Sequence, residues 1–231
     1  MYFSKSVPIE NFIDWINIKF LFYTAWQIKP DMLKNDPELL KELTNKLDQM
    51  SKDSMKILSP AFIYGHFRAQ HLNTQGIIKI NMPNKDDVLI TFKDHNVDIS
   101  DTISIQVVTL GQNAVEKAKQ LKENSQYLEY FYWHGFCAAL TEALAAKVHA
   151  MVRLEMGIEN AIDQSHEKEF TKDYPGKRLS FGYEALPNIL EQKQVLELLD
   201  AETIGISTTE SGMLEPEYST CAIVFKSKNK V

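Results

Sequence analysis

The distribution of apolar and polar residues divides the chain into segments in the order helices, strands, helices, strands. Residues 36–58 read DPELLKELTNKLDQMSKDSMKIL, in which apolar positions recur at helical spacing. Asp36 is the predicted N-cap of this helix and Pro37 its first residue. The predicted apolar stripe consists of Leu39, Leu40, Leu43, Leu47 and Met50.

Extended segments are predicted in the middle of the chain. Residues 59–70, SPAFIYGHFRAQ, predict a strand or turn that leads into a hairpin. The arms of that hairpin are predicted at GIIKINM, residues 76–82, and DVLITFK, residues 87–93, joined by PNKD. DTISIQVVTLG, residues 101–111, predicts a further strand that stops at its glycine.

Helical patterns return in the second half of the chain. Residues 112–126 predict an amphipathic helix, and residues 127–157 predict a long helix that ends at Gly157. Residues 188–200 predict another helix, and residues 203–225 predict two strands around a turn with Gly and Pro. Because strands and helices do not alternate regularly, an α+β fold with an antiparallel sheet is favoured over a doubly wound fold.

The N-terminal part has a less regular pattern. Residues 8–30 mix aromatic and aliphatic side chains between two prolines and predict a short helix or irregular lead-in, followed by an apolar element. We expect one domain over residues 1–231, with a mainly helical part over 1–60 and the sheet, the long helix and a ligand-binding segment over 61–231.

Composition and charge exclude several classes of protein. With 44% hydrophobic residues the chain can bury a core, and its net charge of −6 argues against a nucleic-acid backbone as the main partner. Cys137 and Cys221 lie in apolar contexts and are expected to be buried free thiols in a reducing cytosol, so a cytoplasmic protein is expected. The first residues lack the basic and apolar regions of a signal peptide, so none is expected, and the apolar runs are expected to be too short to span a membrane.

Familiar catalytic and cofactor motifs are missing from the sequence. There is no G-x-G-x-x-G opening a helix, no phosphate-binding loop, no zinc-type pairing of Cys and His, and no G-x-S-x-G elbow. The six histidines do not cluster at metal-ligand spacing, and each is expected to be a surface or capping residue. Those residues are His66, His71, His95, His134, His149 and His166.

The long predicted helix carries a polar row. Glu142, Ala146, His149 and Arg153 share one face, and we favour a solvated surface for it. The alternative is a ligand that approaches the helix, because several alanines leave room beside Glu142. The opposite, core-facing stripe is predicted to be Leu140, Leu144, Val148 and Met151.

The segment RLSFGYEALP, residues 178–187, raises the question of whether it holds a ligand along its backbone. Arg178 could bind a carboxylate with two hydrogen bonds, Gly182 would let a ligand approach the main chain, and Tyr183 offers a ring or a hydroxyl. Asp14, in the aromatic setting FIDW, is either an N-cap or a desolvated carboxylate that awaits a cation.

Together these segments resemble the activation domain of cobalamin-dependent methionine synthase along nearly the whole chain. The similar segments are FIDW, IYGHFRAQ, DTISIQVVTLG, HGFCAALTEALAAKVHAMVRLEMGI, RLSFGYEALPNILEQKQVLELL and IGISTTESGMLEPEYSTCAIVF. The resemblance implies a C-shaped, mainly antiparallel α+β domain that binds S-adenosylmethionine in an extended form. The ligand-facing residues that it implies are Asp14, Glu142, Arg178, Ser180, Gly182 and Tyr183.

The resemblance also implies a repair function. In the family, a flavodoxin-type donor supplies an electron and S-adenosylmethionine supplies a methyl group, which together restore an oxidised cobalamin. The domain would contribute positioning without a catalytic acid, base or metal of its own. Cobalamin would be bound only through a partner, and we expect a free-standing protein that acts in trans on a methionine synthase core.

The sequence departs from the family pattern at a few positions. Glu184 begins the sequence Glu-Ala-Leu-Pro, where the family often has Pro-Ala-Cys-Pro, and Arg68 stands where it usually has Pro. The family's ligand-contacting Tyr beyond the last strand would fall past Val231. The alternative function is therefore an interaction or regulatory module that keeps the fold and docking surface and has lost S-adenosylmethionine binding.

Overall fold

A computed structural model describes residues 2–72, 76–82, 86–93, 101–158 and 176–226 of the chain. The α-helices are α1 (Pro30–Asn35), α2 (Pro37–Ile57), α3 (Gln112–Glu123), α4 (Tyr127–Glu155) and α5 (Gln192–Leu199). The strands are β1 (Tyr2–Ser6), β2 (Ala61–Leu72), β3 (Ile77–Ile80), β4 (Val88–Thr91), β5 (Thr102–Thr109), β6 (Lys177–Ser180), β7 (Ser207–Thr208), β8 (Leu214–Glu215) and β9 (Ser219–Phe225).

The main sheet is antiparallel throughout the described strands. Its order is β4-β3-β2-β5-β9-β6, and β1 pairs with the first half of β2. The long strand β2 therefore has two partners along one edge: Tyr2 lies opposite Gly65, and farther along Ala69 lies opposite Ile80. β7 and β8 form a separate two-stranded ribbon. The expected α+β class with a mainly antiparallel sheet is confirmed.

Helices cover both faces of the sheet. Side chains alternate along β5, so that the buried Gln106 faces α4, to which its side chain donates a hydrogen bond, while Val107 belongs to the core beside α5. Because both faces are packed, every residue of β5 after Thr102 is buried, including the polar Ser104 and Gln106.

The N-terminal part adds features that the sequence pattern did not predict. Strand β1 joins the sheet, and residues Phe20–Ala25 form a π-helix that follows short 3-10 turns. Trp26 ends this segment with its ring against Gly135 of α4, where an added Cβ would lie 2.8 Å from the indole Cδ1. Its indole N–H donates to the carbonyl of Tyr132 at 3.1 Å. A glycine on α4 thus provides room for the buried ring of Trp26.

Most predicted elements are present, with local differences. The side chain of Asp36 accepts a hydrogen bond from the Leu39 amide at 2.9 Å, which confirms the N-cap of α2. Leu40, placed in the apolar stripe, is 42% exposed, so that assignment is wrong. The arms of the β3–β4 hairpin are confirmed, whereas most of the predicted turn, residues 83–85, lies outside the described residues.

Helix α4 runs through the centre of the molecule. By length and composition it could cross a membrane, contrary to our expectation from the apolar runs, but 72% of its most apolar window is buried inside the protein. It is a core helix. The solvated face favoured from the sequence is also wrong, because His149 and Arg153 are buried at 1% and 6% exposure. A helix that is packed on nearly every side has apolar residues all around it, so the spacing of apolar and polar residues does not show which face is buried.

The two thiols are buried as expected. Cys137 lies within α4 and Cys221 within β9, and both are free. Burial raises the pKa of both thiols, that of Cys221 to about 12. Neither is therefore a thiolate near neutral pH.

Candidate functional site

The segment that contains Arg178 forms the edge strand β6 of the sheet. Arg178 lies opposite Val224 and Ser180 opposite Ala222 on β9. Alternation places the side chains of Arg178 and Ser180 on the α4 side, while Leu179 packs into the core beside α5. β6 thus supplies polar side chains to one face and an apolar anchor to the other.

A tight turn ends β6 and redirects the chain. Gly182 has φ = +84°, in the left-handed region, and its amide donates to the Leu186 carbonyl at 2.8 Å. The Leu186 amide donates in turn to the Tyr183 carbonyl at 3.1 Å, which closes a β-turn over residues 183–186. Leu186 is fully buried and Tyr183 is 73% exposed. The positive φ accounts for the glycine, since the space for a Cβ is adequate.

Arg178 and Glu142 form an ion pair across the space between β6 and α4. Arg178 Nη2 donates to Glu142 Oε2 at 2.6 Å, and the two side chains are 20% and 44% exposed. Arg178 Nη1 is buried and has no hydrogen-bond partner among the described residues. The guanidinium therefore retains donors beyond the pair with Glu142.

A cavity of about 880 Å³ lies beside this pair, past the end of β6. Glu142, Ser180 and Tyr183 line it, together with residues of α3, α5, the β7–β8 ribbon and the start of β9. Arg178 borders the cavity through Glu142, and Gly182 lies between the lining residues Phe181 and Tyr183. Five of the six residues implied by the resemblance are thus brought together at one end of the sheet.

Asp14 is the sixth residue, and the structure places it away from the cavity, in an N-terminal turn that packs against α4. It lies in the 3-10 turn Ile13–Trp15, is exposed, and is not among the cavity-lining residues. The neighbouring Asn11 accepts a hydrogen bond through its carbonyl from Lys147 Nζ. Asp14 lies within this turn, and in the helical segment that follows, the Phe20 amide donates to Asn17 Oδ1 at 3.0 Å, so Asp14 is not the N-cap of that segment. Its role as a ligand-facing carboxylate stays a prediction.

Two further carboxylates line the cavity and were not singled out from the sequence. Glu215 ends β8 and Glu217 precedes β9, on either side of Pro216. No lysine or arginine lines the cavity within the part of the chain that the structure describes. With Glu142, the cavity therefore has three carboxylates. In the sequence these two residues are visible only as Glu-Pro-Glu, residues 215–217. Nothing in that pattern indicates that they line a cavity, because they reach it only through the fold of the β7–β8 ribbon.

Of the histidines that the structure describes, His149 departs most clearly from the surface role expected of it. Burial, reinforced by the nearby Arg178 and Arg153 charges, lowers its pKa to about 3 despite a hydrogen bond to the Gly176 carbonyl. His66 contacts Ser104 at 2.5 Å and Glu155, at the end of α4, at 2.9 Å, so its side chain lies on the α4 side of the sheet. His95 and His166 lie outside the described residues.

Comparison with protein families identifies the class of domain. Residues 89–230 match the family described as vitamin B12 dependent methionine synthase, activation domain. The chain belongs to this family. The match begins in the β3–β4 hairpin and includes every residue that lines the cavity and both residues of the Arg178–Glu142 pair.

Curated relatives of this activation domain are much longer proteins. The methionine synthase of Mycobacterium tuberculosis (strain ATCC 25618 / H37Rv) is 35% identical over 257 residues, which cover 95% of this chain and 21% of that protein. The methionine synthase of Mycobacterium leprae (strain TN) is 35% identical over 130 residues, covering 54% of this chain and 11% of that protein. The chain thus spans about a fifth of the length of the first relative.

A solved structure shares the fold of the activation domain. The crystal structure described as the MetH reactivation domain bound to AdoHcy superposes with a TM-score of 0.81 and 20% identity. The superposition covers 100% of this chain and 80% of that one. The resemblance inferred from the sequence is confirmed at the level of family and fold.

Proposed function

We propose that this activation domain binds S-adenosylmethionine in the cavity beyond β6 and presents its methyl group to a cobalamin held outside these 231 residues. The observation that carries the proposal is the Arg178–Glu142 pair at the border of a cavity of about 880 Å³. That volume lies within the range of small-molecule sites in proteins, about 300–1,000 Å³. The solved reactivation domain with bound AdoHcy supports the same class of ligand.

The charges of the cavity fit a sulfonium ligand. Glu142, Glu215 and Glu217 line the cavity, and no cationic side chain lines it within the described ranges. S-adenosylmethionine carries a positive sulfonium, which carboxylates attract. Glu215 and Glu217 are exposed, so solvent screens part of this attraction. The hydroxyl groups of Ser180 and Ser207 add neutral hydrogen-bonding groups that suit a ribose.

The ion pair fits the amino-acid end of the ligand. An α-ammonium and an α-carboxylate are attached to one carbon, so their partners must be neighbours. Glu142 and Arg178 are neighbours at 2.6 Å, which makes Glu142 the proposed ammonium partner and Arg178 the proposed carboxylate partner. Within the described residues Arg178 Nη1 has no acceptor, and a buried donor without one is costly. A ligand carboxylate would supply it.

The remaining predicted residues have consistent roles. Ser180 and Gly182 are proposed to bind the ligand through the backbone at the end of β6, and Tyr183 through its exposed ring. Asp14 stays a prediction as a further ligand contact, because it lies outside the cavity lining.

The chemistry that these residues support is positioning. A sulfonium is a good leaving group, and the cob(I)alamin of a partner would be the nucleophile, so the domain needs neither an acid nor a base. We propose that the partner is a methionine synthase core that acts in trans, that a flavodoxin-type donor supplies the electron, and that the complex acts in the cytoplasm.

An apolar rim supports the docking of such a partner over the cavity. Tyr183, Leu190 and Met213 are 73%, 56% and 58% exposed. Tyr183 and Met213 line the cavity, and Leu190 lies against the loop that contains Gly212. Large apolar side chains grouped around a polar cavity are typical of a surface that a partner covers.

Calorimetric titration tests the charge complementarity. S-adenosylmethionine is titrated into the wild type and into Glu142→Gln, with Glu210→Gln as the control, because Glu210 is exposed and not a cavity-lining residue. We expect Glu142→Gln to weaken binding by about 1.5–3 kcal/mol, the value of a charge-assisted hydrogen bond, and Glu210→Gln to have no effect. Equal affinities for all three proteins would refute the assignment of Glu142.

Mixing with a cobalamin-loaded methionine synthase core tests the role in trans. The absorption spectrum of the cobalamin is followed under a chemical reductant with S-adenosylmethionine, with and without the domain. Restoration of the methylated form that requires the domain supports the proposal. Binding to the core without binding of S-adenosylmethionine would instead support the interaction or regulatory module.

A further inference from the structure

The segment that enters β6 is in contact with the buried face of α4. His149 Nε2 lies 2.6 Å from the carbonyl oxygen of Gly176, the residue immediately before β6. A carbonyl only accepts hydrogen bonds, so Nε2 carries the proton and donates it. Arg178, the proposed carboxylate partner of the ligand, follows two residues after Gly176.

The backbone at Gly176 has no room for a side chain. An added Cβ would lie 2.7 Å from Ile158 Cδ1 and 3.0 Å from Arg153 Cγ, and the residue has φ = +83°. Both the conformation and the close packing therefore require glycine. The packing brings the Gly176 carbonyl within reach of the imidazole.

Helix α4 thereby contacts the β6 region at two positions along its length, Glu142 and His149. Glu142 pairs with the Arg178 side chain, and His149, seven residues later on the same face, holds the Gly176 carbonyl. Seven residues correspond to about 10 Å along a helix. The first contact acts on the guanidinium and the second on the main chain that carries it.

The charged groups around His149 favour its neutral form. Arg178 and Arg153 both act on it, and burial at 1% exposure removes the water that would stabilise an imidazolium. A protonated ring would be repelled by both guanidinium groups. A neutral ring does not repel the Arg178 guanidinium, which pairs with Glu142.

We propose that His149 is a positioning residue, which fixes the start of β6 so that Arg178 and the turn at Gly182 meet the ligand in a preformed geometry. The inference rests on the proposed function for its effect on the ligand, but the hydrogen bond itself can be tested without one. The residue acts through Gly176 and makes no claimed contact with the ligand.

Nitrogen NMR tests the hydrogen bond directly. In protein labelled with ¹⁵N-histidine, the signals of His149 are assigned by their loss in His149→Gln and followed from pH 8 to pH 5. We expect a neutral ring with the proton on Nε2 throughout this range. A neutral ring with its proton on Nδ1 would overturn the proposal whether or not any ligand binds, because Nε2 could then not donate to the Gly176 carbonyl.

Ligand titration tests the effect on Arg178. His149→Gln keeps an Nε2 donor at a similar reach, whereas His149→Leu keeps an apolar volume and removes the donor. At a temperature where all variants are folded, we expect the Kd for S-adenosylhomocysteine to rise about tenfold in His149→Leu. We expect it to stay within about threefold of the wild type in His149→Gln, because the neutral donor is restored.

A glycine pair separates positioning from backbone strain. Gly176→Ala and Gly157→Ala each place an alanine at positive φ, +83° and +66°, but a Cβ at Gly157 meets nothing within 4 Å. Gly176→Ala is expected to weaken the ligand as His149→Leu does, and Gly157→Ala to leave the Kd unchanged. Equal Kd values for His149→Leu and the wild type would overturn the positioning role. If the wild type itself bound no ligand, the proposed function would fail, and the NMR result would still decide the hydrogen bond.

Discussion

The pH dependence of folding stability follows from the burial of His149. Burial, aided by the charges of Arg178 and Arg153, lowers the pKa of His149 from 6.5 to about 3 in the folded protein. In the unfolded chain the imidazole takes up a proton near pH 6.5. The unfolded state therefore binds more protons between these two values, and the free energy of unfolding falls as the pH falls through this range.

The loss in the free energy of unfolding depends on how far the pH lies below 6.5, the pKa of the imidazole in the unfolded chain. The contribution of His149 is fully present above pH 6.5 and is lost progressively as the pH falls from 6.5 towards 3. One pH unit corresponds to about 1.4 kcal/mol, so lowering the pH from 8 to 5 should cost about 2 kcal/mol through this residue alone. That is a large fraction of the 5–15 kcal/mol that stabilises a typical domain, roughly a fifth.

Urea unfolding at pH 8, 6.5 and 5 measures this contribution. The wild type is compared with His149→Gln, which cannot titrate. The other carboxylates and histidines are present in both proteins and cancel in the difference. We expect the pH profile of His149→Gln to be flatter by about 2 kcal/mol. Parallel profiles for the wild type and His149→Gln would refute the burial of a neutral imidazole.

Three further substitutions test how the fold supports the site. Gly135→Ala should destabilise the protein by about 1–3 kcal/mol in thermal unfolding, because its Cβ would lie 2.8 Å from Trp26 Cδ1; no change would mean that the ring shifts freely. Asp36→Ala should cost about 1 kcal/mol in urea unfolding through the lost N-cap of α2, and a cost near zero would count against the cap. Glu191→Ala should cost about 2 kcal/mol, because Glu191 accepts from the Thr91 amide at 2.8 Å and hydroxyl at 2.7 Å; unchanged amide exchange at Thr91 would contradict this.

Local signals in the sequence were sufficient for many elements. The N-cap at Asp36, the helical spacing of α2, the alternating arms of the β3–β4 hairpin and the glycine after α4 each depend on neighbouring residues. Such features depend on the backbone's own preferences, so a pattern within about ten residues is enough to predict them.

Other features depend on contacts between distant parts of the chain. β1 is a strand because residues 2–6 pair with β2, some sixty positions away, and the π-helix at Phe20–Ala25 precedes the ring of Trp26 packed on α4. The buried His149 could not be distinguished from a surface residue, since α4 is covered on nearly every side. Its partner, the Gly176 carbonyl, carries no side-chain signal.

The candidate site shows the same division. Arg178, Gly182 and Tyr183 lie in one short segment, and their residue types already suggested an anion, a close backbone approach and an exposed ring. Glu142 joins them only because α4 packs against β6, and Glu215 and Glu217 only because the β7–β8 ribbon closes the cavity. The family resemblance supplied Glu142 in advance, whereas the two other carboxylates emerged from the fold.

The most direct test of the central claim is the affinity of the domain for S-adenosylmethionine when Arg178 is removed. The ligand is titrated calorimetrically into the wild type, Arg178→Ala and Lys177→Ala; Lys177 adjoins Arg178 on β6 with its side chain on the other face. We predict saturable binding to the wild type and to Lys177→Ala, and a loss of about 1.5–3 kcal/mol for Arg178→Ala. Wild-type affinity in Arg178→Ala, or no binding to the wild type at millimolar ligand, would contradict the account.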